Sequence, residues 1–268
     1  MIKDSQIPER YRAVISEQVD IYKKGRAITK KNSIPDTTEI PIENPKHWLR
    51  IPDVICIYVD MLGSTRLSAE KHDQSTAGAY QLFTGTAVRL FSEFESPYID
   101  VRGDGVFALF DQNQPYRAFS AATTFKTFSK EEFVPRIKEN TGVEIGCHIG
   151  IDMKTVLVRK VGFKRWGGRS DRQNEVWAGK PVNMSAKLAS LTEDGQLLVS
   201  DRYFDKITDD LVRWSCGCPD GNKVYLWERS DLTSNTNFDF DSGQMLKTQW
   251  CGIHGSEVCE KIMALDED

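Results

Sequence analysis

The sequence predicts an α/β (α+β) protein with a mixed sheet flanked by helices, and three observations favour this class. The run Val54–Val59 is continuous and largely β-branched, as in a strand covered on both faces. Stretches with helical spacing of apolar residues alternate with strand-like runs. Hairpin signals interrupt that alternation, and because hairpins join antiparallel strands, the sheet should be mixed rather than doubly wound.

The first fifty residues predict a helix and an irregular connector. Apolar residues from Tyr11 to Tyr22 recur on one face of a helix over about 9–28. Three prolines between positions 35 and 45 predict irregular structure after it.

The core elements follow in chain order. The strand 54–59 ends at Asp60, and Gly63-Ser64-Thr65 opens a helix. Further helices are predicted over about 73–94, 115–130, 181–192 and 201–207. Further strands are predicted over 98–102, 106–110, 143–151, 155–162 and 196–200, and near 212–216 and 223–228. Tight turns are predicted at Gly103-Asp104-Gly105 and at Asp152-Met153-Lys154.

Composition narrows the functional class. With 268 residues, 28% charged and 40% hydrophobic, the chain is typical of a globular protein. Its formal net charge of −4 argues against nucleic-acid binding. Because the sequence has neither an apolar run of about 18–20 residues nor a signal-peptide core, we expect no membrane association, a cytoplasmic location and reduced cysteines.

Two carboxylates carry the chemical prediction. Asp60 ends a buried strand and Asp104 lies at a hairpin tip, which suits a pair of Mg²⁺ or Mn²⁺ ions. Gly63-Ser64-Thr65 offers backbone N–H groups at a helix start, where a triphosphate can bind. The alternative is that each aspartate only caps a turn.

Four segments together resemble the motifs of the class III nucleotidyl cyclase catalytic domain, in family order. They are VDMLGSTRLS from Val59, RGDG from Arg102, GCHIG from Gly146 and GKPVNMSAKL from Gly179. The resemblance covers about 50–230. It implies a ferredoxin-like, palm-type mixed sheet, with an N-terminal helix and Pro-rich connector over 1–49, the catalytic domain over 50–230 and a C-terminal extension over 231–268.

The resemblance also implies roles for individual residues. Asp60, Asp104 and the backbone carbonyl of Met61 would bind two divalent metal ions, Mn²⁺ or Mg²⁺. Asn183 would orient the ribose, and Lys187 stands where the family usually has an arginine at the α-phosphate. Gly63, Ser64, Thr65 and Arg66 are the predicted phosphate-binding residues. Family members act as head-to-tail dimers that share these residues between subunits, so a homodimer with two equivalent sites is implied.

Two positions depart from the purine-cyclase pattern and, together with Tyr58, bear on the base. Asp100 replaces the usual lysine or glutamate, Arg102 replaces an apolar residue, and Tyr58 occupies an aromatic position. Strand alternation places Asp100, Arg102 and Asp104 on one face. The carbonyl rim of uracil suits Arg102 and Tyr58, whereas the amino group of cytosine would use Asp100. An ion pair between Arg102 and Asp100 that faces away from the substrate is the alternative.

With these residues at the base-contacting positions, the sequence resembles the bacterial Pycsar cyclases, which make cyclic UMP or cyclic CMP when phage infection is sensed. The expected substrate is UTP, and the expected product is 3′,5′-cyclic UMP, a second messenger for a separate effector protein. The alternatives are a cytidylate cyclase, a purine cyclase and an inactive nucleotide-binding domain.

Two further features stay outside this interpretation. His148 lies in a strand-like run and is interpreted as a core histidine. Towards the C-terminus, five residues could hold a structural zinc, although the spacing matches no familiar zinc module and reduced thiols packing the extension are the alternative. These residues are Cys216, Cys218, Cys251, His254 and Cys259.

Overall fold

The structure of the chain is a computed structural model that describes residues 6–267, which fall into two compact units. The smaller unit comprises the described residues of Met1–Ile51 together with Leu157–Ala178. The larger unit comprises Pro52–Val156 and Gly179–Asp268, again within the described residues. All the residues predicted to bind metal, phosphate, ribose or base belong to the larger unit.

The helices and strands are as follows. The helices are α1 (Glu9–Lys23), α2 (Ser64–Glu70), α3 (Asp73–Glu93), α4 (Pro115–Phe128), α5 (Val134–Thr141), α6 (Lys180–Ala189), α7 (Asp201–Phe204), α8 (Asp210–Arg213) and α9 (Gly255–Ala264). The strands are β1 (Ala27–Lys30), β2 (His47–Leu62), β3 (Tyr98–Arg102), β4 (Gly105–Phe110), β5 (Gly146–Gly162), β6 (Gln173–Gly179), β7 (Leu197–Ser200), β8 (Trp227–Asp231) and β9 (Ser242–Leu246). A 3-10 turn covers Thr37–Glu39 and a π-helical turn covers Ser129–Phe133.

The sheet of the larger unit is mixed, which confirms the predicted class. Its strand order is β3-β4-β2-β5-β7-β9-β8. The β2–β4, β3–β4, β7–β9 and β8–β9 pairs are antiparallel, whereas β5 and β7 are parallel. The central position of β2 explains its continuous apolar run, because both of its edges are paired.

One face of this sheet forms the main hydrophobic core with α3 and α4. Ile55, Ile57 and Val59 of β2 point into it and are fully buried. Phe83 of α3 and Phe125 of α4 meet edge to face there, with ring centroids 5.1 Å apart. The opposite face of β2 is thereby left for polar residues at alternate positions.

The smaller unit is built around its own strand pairs. β1 runs parallel to the first residues of β2, and β6 pairs with β5. The guanidinium of Arg159 is largely buried and donates to the backbone carbonyls of Pro45 and Ile42. α1 carries no buried residue.

Two element predictions are wrong, and others have displaced ends. α1 ends at Lys23 rather than at about 28, and β8 begins at Trp227 rather than at about 223. The turn predicted at Asp152-Met153-Lys154 does not exist, because β5 continues through it. Asp152 is fully buried and ion-paired with Arg202, whose Nε lies 2.7 Å from Oδ1, so a polar side chain stands within a strand. The strand predicted near 212–216 is also wrong, since α8 occupies its start and Asp209 caps that helix through the N–H of Leu211.

Several elements were not predicted, namely β1, α5, β6, β9 and α9. Of these, β9 lies between β7 and β8 in the sheet, and α9 packs near α4. Asp266, just after α9, accepts hydrogen bonds from the N–H groups of Tyr116 and Arg117 in the first turn of α4. Among the described residues, no helix is both long and apolar enough to cross a lipid bilayer.

Candidate active site

The site begins on the face of β2 that turns away from the main core. Alternation along the strand places Cys56, Tyr58 and Asp60 on this face, opposite the buried Ile57 and Val59. Tyr58 and Asp60 are partly buried. β2 extends to Leu62, so Asp60 lies within the strand near its end rather than at its terminus.

Asp104 lies in the turn of the β3–β4 hairpin, close to Asp60. Burial raises the pKa of Asp60 above its usual value, and the negative charge of Asp104 raises it further. The charge of His148 and a hydrogen bond from the Met61 backbone N–H act in the opposite direction. Two neighbouring carboxylates with a shared excess of negative charge are a donor set that fits hard divalent cations.

Gly105 allows Tyr58 and Asp60 to approach the hairpin closely. A Cβ atom at position 105 would lie 2.3 Å from the Tyr58 hydroxyl oxygen and 3.0 Å from Asp60 Oδ1. Burial and the charges of Asp60 and Asp104 raise the pKa of Tyr58 to about 12. The Tyr58 hydroxyl therefore stays protonated at neutral pH and can donate a hydrogen bond.

The register of the hairpin places Asp100 and Arg102 on the same face as Tyr58 and Asp60. Phe107 pairs with Tyr58 on one side and with Asp100 on the other, and Arg102 pairs with Gly105. Arg102 Nη2 lies 2.7 Å from Asp100 Oδ2, and the arginine side chain is 59% exposed. The ion pair that we considered from the sequence is therefore present, on the face that carries Asp60.

The predicted phosphate-binding residues follow β2 directly. Gly63 has a left-handed backbone (φ 87°) and precedes α2, whose first residues are Ser64 and Thr65. Arg66 is exposed and donates to the backbone carbonyl of Glu144 at 2.6 Å. The Met61 side chain is buried in the core, so only its backbone carbonyl is a candidate metal ligand.

α6 carries the other two predicted residues. Asn183 is exposed, and Lys187 donates to the backbone carbonyl of Asn237 at 3.0 Å. In the described part of the chain, no hydrogen bond or ion pair joins Asn183 or Lys187 to Asp60 or Asp104. The structure therefore groups Tyr58, Asp60, Asp100, Arg102 and Asp104 on one face, and the hydrogen bond of Lys187 goes to Asn237 rather than to a carboxylate.

Close contacts with the sheet fix the position of α6. A Cβ atom at Gly150 of β5 would lie 2.1 Å from the Ser185 carbonyl oxygen and 2.5 Å from the Ala189 nitrogen, both in the α6 backbone. The Ser185 hydroxyl also donates to Cys56 Sγ at 3.2 Å.

His148 is a neighbour of the carboxylates that the sequence interpretation did not assign to the site. It is partly buried on β5, and its Nδ1 lies 3.3 Å from Thr192 Oγ1. β5 is the neighbour of β2 in the sheet, and the charge of His148 lowers the pKa of Asp60. Alternation along β5 puts His148 on the face of Gly150, and that signal could have identified it.

Comparison with known proteins identifies the family to which the chain belongs. No protein-family model matches the chain. The uridylate cyclase of Propioniciclava tarda is 38% identical over 231 residues, covering 84% of this chain and 73% of that protein. The uridylate cyclase of Micromonospora echinofusca is 32% identical over 249 residues, covering 91% and 79% respectively.

A solved structure shares the fold at low sequence identity. The adenylyl cyclase CyaB from P. aeruginosa superposes with a TM-score of 0.61 at 15% identity, covering 76% of this chain and 97% of CyaB. The motifs, the fold and the relatives all point to one group of proteins. The chain belongs to the uridylate cyclase family and has the fold of the class III nucleotidyl cyclases.

Proposed function

We propose that this chain is a uridylate cyclase that converts UTP to 3′,5′-cyclic UMP and pyrophosphate. The observation that carries the proposal is the pair of neighbouring carboxylates, Asp60 and Asp104, beside Tyr58 in a chain 38% identical to a uridylate cyclase. In the reaction, a bond forms between the ribose 3′-oxygen and the α-phosphorus. The bond from the α-phosphorus to the bridging oxygen breaks, and the 3′-hydroxyl proton is lost.

Different residues bind the metal ions, the phosphates and the ribose in this proposal. Asp60, Asp104 and the Met61 carbonyl would hold two Mn²⁺ or Mg²⁺ ions, which when bound lower the pKa of the 3′-hydroxyl and neutralise phosphate charge. Gly63, Ser64, Thr65 and Arg66 bind the phosphates in this proposal. Asn183 orients the ribose, and Lys187 leaves the Asn237 carbonyl to contact the α-phosphate. Lysine keeps the positive charge of the usual arginine but not its bidentate geometry.

We further propose a head-to-tail homodimer, because among the described residues Asn183 and Lys187 make no hydrogen bond or ion pair with Asp60 or Asp104 of their own chain. In this arrangement Asn183 and Lys187 of one subunit complete the site of Asp60 and Asp104 in the partner. Two equivalent sites then form for each dimer, as closed two-fold symmetry requires.

In this proposal, hydrogen-bond donors of the protein select the base of the nucleotide. Uracil presents carbonyl acceptors, and the protonated Tyr58 hydroxyl and the Arg102 guanidinium are both donors. The ion pair with Asp100 holds Arg102 on the face that carries Asp60. The names of the two relatives favour uracil as well. The alternative is a cytidylate cyclase, in which Asp100 accepts from the amino group of cytosine.

The product would act as a second messenger in the cytoplasm. We propose that cyclic UMP signals phage infection to a separate effector protein that binds it.

An assay with each of the four ribonucleoside triphosphates and Mn²⁺ tests the proposal. Mass spectrometry of the products should show cyclic UMP as the dominant cyclic nucleotide, and Asp104→Asn should abolish it. Arg102→Ala should lower the preference for UTP over CTP about tenfold, because a donor to the base is lost. Dominant cyclic AMP or cyclic GMP would refute the pyrimidine assignment, and release of no pyrophosphate from any triphosphate would support an inactive binding domain.

A further inference from the structure

Three cysteines and a histidine converge where the segment after α8 meets the start of α9. The sulfur atoms of Cys216, Cys218 and Cys251 and a ring nitrogen of His254 all lie within 4.8 Å of one another. Cys218 Sγ and His254 Nδ1 are 3.0 Å apart. Cys216 is exposed and Cys251 partly buried, so the cluster lies at the surface of the larger unit.

The size and chemistry of the cluster match a tetrahedral zinc site. With Zn–S bonds of about 2.3 Å, the sulfur ligands of a tetrahedron lie about 3.8 Å apart. The separations of up to 4.8 Å therefore need only small side-chain movements to reach that geometry. Thiolate and imidazole ligands in a Cys₃His set select zinc over the hard cations that carboxylates bind. We propose that Cys216, Cys218, Cys251 and His254 bind one structural zinc ion.

The backbone around the ligands is shaped by two tight turns. Gly217, between the first two cysteines, has φ 88°, and a Cβ atom there would lie 2.9 Å from the backbone of Gly221. The Gly221 N–H closes this turn by donating to the Gly217 carbonyl at 2.6 Å. At the second turn, the Ile253 N–H points at Cys251 Sγ from 3.5 Å. Hydrogen bonds of this kind orient ligands and stabilise thiolates.

Cys259, the fifth residue considered from the sequence, does not belong to the cluster. It lies on α9 and faces Ser120 and Thr124 of α4. Four protein ligands remain, and they complete a zinc coordination shell. A closed shell is typical of structural zinc and leaves no position for a substrate.

The proposed ion would cross-link two segments that are far apart in the sequence. It would join the Cys216–Cys218 turn to Cys251 and His254, immediately before α9. α9 leads to Asp266, which caps the first turn of α4. Zinc would therefore stabilise the docking of the C-terminal helix on the core, because binding free energy adds to folding free energy.

The first experiment measures zinc in the full-length chain, purified without chelators and then titrated against a chromophoric chelator. We expect one zinc per chain with a dissociation constant on the order of nanomolar or tighter. Asp60→Asn/Asp104→Asn should retain this zinc, which separates it from the metal ions of the active site and from the proposed cyclase activity. Cys259→Ser should also retain it, whereas Cys251→Ser should lose it.

Cobalt substitution of the unmutated chain tests the geometry without relying on a variant that folds poorly. We expect the intense visible bands of tetrahedral Co²⁺ and a thiolate-to-cobalt charge-transfer band. Zinc below about one tenth of an equivalent after titration, with octahedral cobalt spectra, would overturn the proposal. Mass spectrometry of the chain as purified could show a disulfide between two of Cys216, Cys218 and Cys251. If the chain also binds no zinc after that disulfide is reduced, the proposal is overturned.

Discussion

Gly105 determines how closely Tyr58 and Asp60 approach the β3–β4 hairpin. In Gly105→Ala, the new Cβ would lie 2.3 Å from the Tyr58 hydroxyl oxygen, so the tyrosine must move. We expect kcat/KM for the preferred triphosphate to fall at least about tenfold, because displacements near 1 Å are costly in an active site. Steady-state kinetics at saturating Mn²⁺ measure this loss.

Tyr58→Phe provides the matched control, because it removes the clashing oxygen. The double variant Gly105→Ala/Tyr58→Phe should lose less activity than the product of the two single losses predicts. The rescue should be partial, since the Cβ would still lie 3.0 Å from Tyr58 Cζ and from Asp60 Oδ1. Independent, multiplicative effects in this cycle would contradict the proposed contact.

The sequence predicts the position of some site residues better than that of others. Asp60 and Asp104 could be predicted as neighbours because a strand end and a hairpin tip carry them within recognisable motifs. For His148, alternation along β5 indicates the face on which its side chain lies, but the sequence alone does not pair it with Asp60, which belongs to a strand nearly ninety positions away. The Arg102–Asp100 pair needed only the period of two within one strand.

The packing of α6 on β5 depends on the absence of a side chain at Gly150. Gly150→Ala would place a Cβ 2.1 Å from the Ser185 carbonyl oxygen, and the helix backbone would have to move away from the sheet. We expect a loss of about 1–3 kcal/mol in the free energy of unfolding, measured by urea denaturation. Activity should fall further than the unfolded fraction explains, because Asn183 and Lys187 move with α6.

Gly78→Ala on α3 is the matched control for this prediction. A Cβ atom there would meet nothing within 4 Å, and alanine favours a helix by about 0.5–1 kcal/mol. The same substitution should therefore stabilise the chain at position 78 and destabilise it at position 150. Equal effects at the two positions would show that the close approach of α6 does not govern stability.

Elements in which apolar residues recur with a regular helical or strand period were predicted well. Elements whose conformation depends on contacts with residues distant in the sequence were not. α3 is one example, since its apolar stripe is set by local sequence alone. The false turn at Asp152-Met153-Lys154 arose because two polar residues within three positions are typical of a turn. Asp152 instead stays in a strand, because Arg202, fifty positions later, supplies a buried partner. β9 was missed for a similar reason, because it forms a strand by pairing with β7 on one side and β8 on the other.

At the scale of the whole molecule, a buried lysine should make stability depend on pH. Lys126 of α4 is 1% exposed and donates to the backbone carbonyls of Leu246 and Thr248. Burial, with a smaller contribution from Lys130, lowers the pKa of Lys126 from 10.5 to about 7. Above pH 7 the unfolded chain therefore keeps a proton that the folded chain releases, and the free energy of unfolding rises with pH.

Lys126→Met removes this titration. Between pH 7 and 9 the unmutated chain should gain about 2 kcal/mol of stability over the variant, and below pH 7 this pH-dependent difference should level off. Urea denaturation of both chains at several pH values measures the difference. Parallel stability curves across that range would show that Lys126 stays charged in the folded protein.

The proposed homodimer predicts that two inactive variants restore each other. Asp60→Asn disables the carboxylate half of a site, and Asn183→Ala disables the α6 half. If one site uses both subunits, a mixed dimer contains one site with both mutations and one site with neither. Random mixing in equal amounts makes half of the dimers mixed, so activity should recover to about a quarter of that of the unmutated enzyme.

Mixing Asp60→Asn with Asp104→Asn is the matched control, because both changes lie in the same half and every mixed site keeps one of them. Recovery in the first mixture alone would place the two halves on different subunits, whereas no recovery despite subunit exchange would mean that each chain builds its own site.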